Sequence, residues 1–146
     1  MSKLTLLCGP PQSGKTAEFF EVCKSLADYV LLDCTSSLDD PLSVYGMAAA
    51  DKAVQLVTPD IRSAAYYASF EKTYEQIKGK SIGVINITDK DLYLPVGEVK
   101  AGFANAKYIL PYSMYLKQQY ITGELTHKIP DQKFSAVCRG IAGAVL

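Results

Sequence analysis

The segment from residue 8 to residue 16, CGPPQSGKT, has the residue types and spacing of a phosphate-binding loop. Its two glycines let the backbone curl so that successive N–H groups point at phosphate oxygens, and a following helix adds partial positive charge. Lys15 would reach the β- and γ-phosphates, and Thr16 would bind Mg²⁺. We therefore expect the loop to bind a nucleoside triphosphate. The residues expected to form the binding site are Gly9, Pro10, Pro11, Gln12, Ser13, Gly14, Lys15 and Thr16. Gln12 and Ser13 are part of the loop but are assigned no individual role.

The elements on either side of the loop are those that such a loop requires. The apolar run at residues 4–8 predicts a strand. Apolar residues at helical spacing over residues 15–27 predict a helix. A strand that leads through the loop into a helix is the setting in which the motif is specific.

Asp33 closes a second apolar run, which begins at Tyr29. An acid at the end of a strand near a phosphate loop is positioned to hold Mg²⁺, often through a water molecule. A strand-end turn or a helix-cap acid is the alternative interpretation of a single Asp. Asp40, which precedes Pro41, is expected to cap the helix that follows it.

The rest of the chain alternates between apolar, strand-like runs and helical patterns. Continuous apolar strands separated by helices predict a parallel sheet covered on both faces, in which ligands bind at the carboxyl ends of the strands. Asp60 is expected to cap a helix, and Asn86 and Pro111 mark strand ends. The predicted strands are residues 29–33, 53–57, 81–86 and 107–111, and the predicted helices include residues 61–77 and 131 to the end.

Composition and charge narrow the functional classes. The 146 residues, 49% of them hydrophobic, are enough for one core, so we predict a single domain over residues 1–146. The chain has 15 Lys and Arg residues and 15 Asp and Glu residues, so its formal net charge is zero. No overall electrostatic field therefore favours binding to nucleic acid or to an anionic membrane. The apolar stripe that ends the chain, which includes Phe134 and Ile141, is expected to face the core rather than a membrane.

The four cysteines contain no CxxC pair and are expected to be reduced, buried thiols. No apolar run approaches the ~20 residues of a membrane span, and the N-terminal run is too short for a signal peptide. These features predict a cytoplasmic protein.

From Tyr29 onward, the order and spacing of the motifs resemble those of the ParA/MinD-type ATPases. The segment DYVLLDCTSSLDDPLSVYGMAAADKAVQLVTPD is similar to that family's Walker B strand, switch loop and next strand. GVINITDKD is similar to its strand ending in an adenine-reading asparagine, and YILPYSMYLKQQY to its proline-containing loop and helix.

The resemblance implies a three-layer α/β/α P-loop fold with strand order 2-1-3-4-5 and binding of ATP with Mg²⁺. It makes Lys15 a phosphate contact, Asp33 the switch acid that with Thr16 holds the metal, and Asn86 an adenine contact. Pro111 and Tyr112 would form part of the base pocket. It also leaves the Asp33 strand at an open sheet edge, where a homodimer or a protein partner would pair.

Two departures from the family pattern bear on hydrolysis. Pro10 stands where the family carries a signature lysine that reaches the other subunit's phosphate, and a single helix separates Thr16 from Asp33 where the family inserts further elements, including a water-orienting loop. Because hydrolysis depends on positioning the nucleophile and neutralising charge, we expect binding with slow or partner-dependent turnover.

Three functions are consistent with these residues. The first is a nucleotide switch or accessory ATPase that positions a larger apparatus, such as a pilus, secretion, conjugation or plasmid-partition system. The second is a small kinase, although the two arginines, Arg62 and Arg139, do not form the cluster that kinases use to clamp phosphates. The third is a non-hydrolysing scaffold with a vestigial loop.

Overall fold

A computed structural model of the chain describes residues 15–34, 40–91, 95–103, 106–124 and 129–146. The chain divides into two units, Met1–Ala50 and Asp51–Leu146. The predicted strand at residues 4–8 lies outside the described residues.

The described residues of the Met1–Ala50 unit form two helices, α1 (Lys15–Leu26) and α2 (Pro41–Ala49). Asp40 caps α2 as predicted, since its carboxylate accepts hydrogen bonds from the Ser43 N–H at 3.0 Å and the Ser43 hydroxyl at 2.7 Å. The buried Phe20 of α1 stacks on Tyr45 of α2, with ring centroids 5.4 Å apart. This aromatic pair joins the two helices.

The Asp51–Leu146 unit is an α/β structure with a parallel sheet, as predicted. Its three described strands are hydrogen-bonded in the order β1-β2-β3. In chain order, its elements are β1 (Ala53–Val57), α3 (Ile61–Ser69), α4 (Glu71–Ile77), a 3-10 turn (Lys78–Lys80), β2 (Ser81–Asn86), α5 (Val96–Gly102), β3 (Ala106–Leu110), α6 (Met114–Thr122) and α7 (Gln132–Val145).

The predicted strand bounds agree closely with this unit, whereas α5 was not predicted and one predicted helix is divided in two. The strands expected at residues 53–57 and 81–86 are confirmed, and the third begins and ends one residue earlier than predicted. The prediction of one helix over residues 61–77 is wrong. Phe70, with φ −116° and ψ 18°, leaves the helical region and separates α3 from α4, while its ring packs on Tyr66 at 4.8 Å.

Helices cover both faces of the sheet in this unit. On one face, Ile85 of β2 packs with Val99 and Phe103 to form the buried core cluster. Tyr108 of β3 pairs with Val84, which points away from Ile85, and the Tyr108 hydroxyl donates to the Gly140 carbonyl of α7 at 2.9 Å. The arrangement buries β2 in the middle of the sheet and leaves its ends for polar residues.

The apolar stripe of α7 packs inward at its start, where Phe134 is buried as predicted. The helix begins at the Asp131 cap, whose carboxylate accepts the Phe134 N–H at 3.0 Å. Among the helices that the structure describes, none is both long enough and apolar enough to cross a membrane.

Three cysteines fall within the described residues, and all three are free. Burial raises the pKa of the Cys138 thiol. The expectation of burial is wrong for Cys34, which is exposed because it follows α1 in a segment without regular structure.

Candidate functional site

The phosphate loop itself, from Gly9 to Gly14, lies outside the described residues. The structure describes the backbone of Lys15 and Thr16, both of which lie in α1. The motif requires that a helix follow the loop, because the free N–H groups of its first turn then point toward the loop. The helical backbone of these two residues agrees with that requirement.

Asp33 lies in the irregular segment that follows α1. The prediction that residues 29–33 form a strand is wrong, since residues 27–34 form neither helix nor strand. The sheet of described strands consists of β1, β2 and β3, and the Leu31 side chain is 98% exposed. A run of apolar residues predicts a strand only where a neighbouring strand completes its hydrogen bonds.

Gly46 of α2 fixes the position of this segment within its unit. A Cβ added at Gly46 would lie 3.2 Å from Cys34 Sγ and 3.3 Å from Leu32 Cδ1, which is tighter than ordinary packing. The glycine therefore lets residues 32–34 pass directly over α2. Asp33 sits between these two contacts, with its side chain exposed.

The carboxyl ends of β2 and β3 bring together three residues predicted to contact the base. Asn86, the last residue of β2, pairs in register with Leu110, the last residue of β3. The Ile87 N–H donates to the Leu110 carbonyl at 3.0 Å, which extends the pairing by one step. Pro111 and Tyr112 follow directly, so the amide of Asn86 and this dipeptide lie at adjacent strand ends, all half-buried.

Lys90, in the loop after β2, is a residue of this region that sequence reasoning missed. Its ammonium lies 5.8 Å from the centroid of the Tyr112 ring, within the range of a cation–π contact. The Tyr112 hydroxyl donates to Met114 Sδ at 3.6 Å. No pattern along the sequence indicates this contact, because it joins two separate loops.

The residues after Tyr112 are held by two helix caps. Ser113 is buried and caps α6, its hydroxyl accepting the Leu116 N–H at 3.5 Å. Asp131 caps α7, and the hydrogen bond that its carboxylate accepts from the Phe134 N–H is the main cause that lowers the pKa of the Asp131 carboxyl. The caps at Ser113 and Asp131 define where α6 and α7 begin.

A polar cluster lies at the carboxyl end of β1, centred on Asp60. The Asp60 carboxylate accepts the Ser63 N–H at 2.9 Å and the hydroxyls of Ser63 and Thr58, so the predicted cap of α3 is confirmed. The Thr58 hydrogen bond, followed by that of the Ser63 backbone, lowers the pKa of the Asp60 carboxyl. Because its oxygens are engaged, we interpret Asp60 as structural rather than as a general base. The hydrogen bonds of Thr58 and Ser63 to Asp60 were not predicted from the sequence.

Within the described parts of the chain, no three His, Cys, Asp or Glu side chains come together as a group that could hold a metal ion. The predicted Mg²⁺ ligands are Thr16, whose backbone lies in α1, and Asp33, which is exposed.

No protein-family model matches the chain, and no curated protein or solved structure shows significant similarity to it. The function must therefore be inferred from the chain's own residues. In the Asp51–Leu146 unit these residues offer a carboxamide, an aromatic ring and a cation at two adjacent strand ends, a set able to bind a planar heteroaromatic group by hydrogen bonds and stacking. The Met1–Ala50 unit carries the motif for phosphates.

Proposed function

We propose that this protein binds ATP with Mg²⁺ and acts in the cytoplasm as a nucleotide switch or accessory ATPase that positions or assembles a larger apparatus, such as a pilus, secretion, conjugation or plasmid-partition system. The observation that carries the proposal is the loop motif whose Lys15 and Thr16 lie in α1. A loop of this sequence at the N-terminus of a helix is a ready-made phosphate site.

The proposed fold is the three-layer P-loop fold, in which residues 4–8 would form the strand next to β1. The predicted order 2-1-3-4-5 loses its strand 2, since residues 29–33 form no strand. Two features of β1 favour a further neighbour. In the described sheet β1 pairs with β2 and has its other edge open. Its Val54 and Leu56 side chains are 40% and 63% exposed, which is a large apolar surface for a strand of a parallel sheet.

In the proposed complex, Lys15 contacts the phosphates and the hydroxyl of Thr16 and the carboxylate of Asp33 are the oxygen ligands of Mg²⁺. Hard oxygen donors of this kind suit Mg²⁺, which retains several of its waters. The metal would neutralise charge on the phosphates. Asn86 reads the adenine edge, and Pro111 with Tyr112 forms one wall of the base pocket.

Turnover is proposed to be slow or dependent on a partner. Pro10 has no side-chain donor for a phosphate, so the charge that develops during phosphoryl transfer lacks a cation at that position. A homodimer or a protein partner would supply the missing group.

An exposed apolar surface in the Met1–Ala50 unit supports such a partner. Isolated apolar side chains are normal on a surface, but a group close in sequence and structure is typical of an interaction site. The most exposed members of this group are Val22, Leu26, Tyr29 and Leu31.

The proposal is tested by measuring ATP binding and turnover together. Calorimetric titration of the protein with ATP and Mg²⁺ is expected to show saturable binding, while phosphate release without an acceptor remains slow. Saturable binding without phosphate release, combined with transfer of the γ-phosphoryl group to an added acceptor alcohol or nucleotide and formation of ADP, would favour a kinase instead. If neither ATP nor GTP binds, the proposal is wrong.

A further inference from the structure

A groove of about 350 Å³ lies between α3 and α5, on the face of the sheet where Ile85 packs with Val99 and Phe103. Its walls are made of small residues, Ala64 and Ala68 from α3 and Gly102 from α5. A Cβ added at Gly102 would meet no atom within 4 Å, so this side of the groove is open. Walls of this kind allow the backbone of another segment to approach closely.

The floor of the groove is apolar and firmly packed. It is formed by Tyr67, Val99 and Phe103, and the last two are only 4% and 5% exposed. The Tyr67 ring lies 4.4 Å from that of Phe103 and stacks on Tyr74 at 4.8 Å. Because these rings support one another, the groove is already formed in the free protein.

The rim of the groove is acidic. Glu71, at the start of α4, and Glu98, in the first turn of α5, both line the groove and are exposed. The ion pairs found among the described residues join Lys24 to Glu21 and Lys78 to Glu75, so neither rim glutamate is in an ion pair within 4 Å. None of the residues that line the groove is basic.

We propose that this groove is the docking site for a basic amphipathic helix of a partner protein. Leu and Ala side chains of the helix would lie on the Tyr67–Val99–Phe103 floor, and its Arg or Lys side chains would reach Glu71 and Glu98. The charges complement one another, which steers association and fixes orientation, while the apolar contact supplies most of the affinity. A helix with acidic or uncharged side chains in place of Arg and Lys would lack this charge complementarity.

The groove is separate from the proposed nucleotide site. The Phe103 carbonyl accepts the N–H of Ala106, the first residue of β3, at 2.9 Å, so Gly102 and Phe103 lie toward the amino end of β3. Asn86 and Tyr112 lie at the carboxyl end of the sheet. Docking in the groove therefore does not depend on nucleotide binding, and each can fail without the other.

The test is an NMR titration of the full ¹⁵N-labelled chain with a synthetic helical peptide of about 16 residues, built from Ala, Leu and Arg with the arginines on one side. The backbone resonances of Ala68, Val99 and Gly102 are expected to shift together and to saturate. The double variant Glu71→Gln/Glu98→Gln is expected to bind the peptide about tenfold more weakly, since two exposed charge pairs are lost. The same peptide with Glu in place of Arg should not bind.

The matched variants are Gly102→Leu and Gly97→Leu, both in α5. Neither position has an atom within 4 Å of an added Cβ, but Gly97 does not line the groove. Gly102→Leu should abolish the shifts and Gly97→Leu should leave them unchanged. Binding that survives Gly102→Leu would overturn the proposal, as would absence of binding. Equal shifts with free argininamide would also overturn it, because they would indicate a small-molecule cation site.

Discussion

The Lys90 ammonium lies over the Tyr112 ring, 5.8 Å from its centroid, and so joins the loop after β2 to the loop after β3. A contact of this kind is worth about 0.5–1 kcal/mol when exposed. It connects the ring to the loop that follows Asn86, whose strand is paired in register with the one that leads into Tyr112. In the proposed complex, the other face of the ring is the one on which a base stacks.

Tyr112→Ala is expected to weaken ATP binding. Stacking of a base on an aromatic ring is worth about 1–3 kcal/mol, so the dissociation constant should rise by about fivefold or more, while Tyr112→Phe should bind nearly as well as the wild type. Calorimetric titration measures both. Tyr115→Ala, at an exposed tyrosine in α6 that is not assigned to the base pocket, is the control and should bind normally. Equal affinities for the Tyr112→Ala and Tyr115→Ala variants would remove Tyr112 from the site.

Asn86→Ala is expected to reduce the preference for ATP over GTP. The Asn86 carboxamide has an NH₂ donor and an oxygen acceptor, which together match the hydrogen-bonding edge of adenine. Such a pair of hydrogen bonds contributes about 1–3 kcal/mol of discrimination between bases. The measurement is the ratio of the dissociation constants for the two nucleotides. Affinity for inorganic tripolyphosphate should not change, since the phosphate loop is untouched. An unaltered ratio would show that Asn86 only terminates its strand.

Asp60→Ala is expected to lower the free energy of unfolding by about 1 kcal/mol at neutral pH, because α3 loses its cap. The folded-state pKa of Asp60 is below its ordinary value, so its contribution is fully present above about pH 4. That contribution is lost as the pH falls through the lowered pKa. Urea unfolding of wild type and variant across pH 2–7 should therefore show two curves that converge in acid. Asp51→Ala, at an exposed acid that caps no described helix, is the control. A difference that is the same at every pH would contradict a role for the ionised carboxylate.

Gly140 and Gly143 of α7 are expected to respond in opposite ways to added side chains. A Cβ at Gly140 would lie 3.2 Å from Tyr108 Cε1, whereas one at Gly143 would meet nothing within 4 Å. Gly143→Ala should raise the free energy of unfolding by about 0.5–1 kcal/mol through helix propensity. Gly140→Leu should lower it, because the larger side chain displaces the Tyr108 ring and its hydrogen bond to the Gly140 carbonyl. If both variants stabilise the protein, the packing of α7 on β3 described here is wrong.

The sequence predicted the Asp51–Leu146 unit well because its signals are local. The runs at residues 53–57 and 81–86 are rich in Val, Ile and Leu and are bounded by turns, and Asp60 and Asp131 precede their helices as cap residues do. The alignment of Asn86 with Pro111 and Tyr112 followed from the parallel arrangement, in which strand ends meet at one edge.

The predictions that failed depend on contacts distant in sequence. Residues 29–33 have the composition of a strand, but a strand also requires a hydrogen-bonded neighbour, and the described sheet contains only β1, β2 and β3. The break at Phe70 is accompanied by its packing on Tyr66, and helical periodicity on both sides conceals it. Lys90 was missed because a cation–π contact between two loops leaves no pattern along the chain.

The central claim is that the loop ending in Lys15 binds a nucleoside triphosphate, and the most direct measurement is thermal unfolding with and without ATP and Mg²⁺. ATP at about 100 times its dissociation constant should stabilise the wild type by about 2.7 kcal/mol, seen as a higher melting temperature. Lys15→Ala should lose most of that shift. Lys24→Ala, at an exposed lysine of the same helix that pairs with Glu21 at 3.9 Å, should keep it. A wild-type melting temperature that ATP leaves unchanged, or a shift that Lys15→Ala retains in full, would contradict the claim.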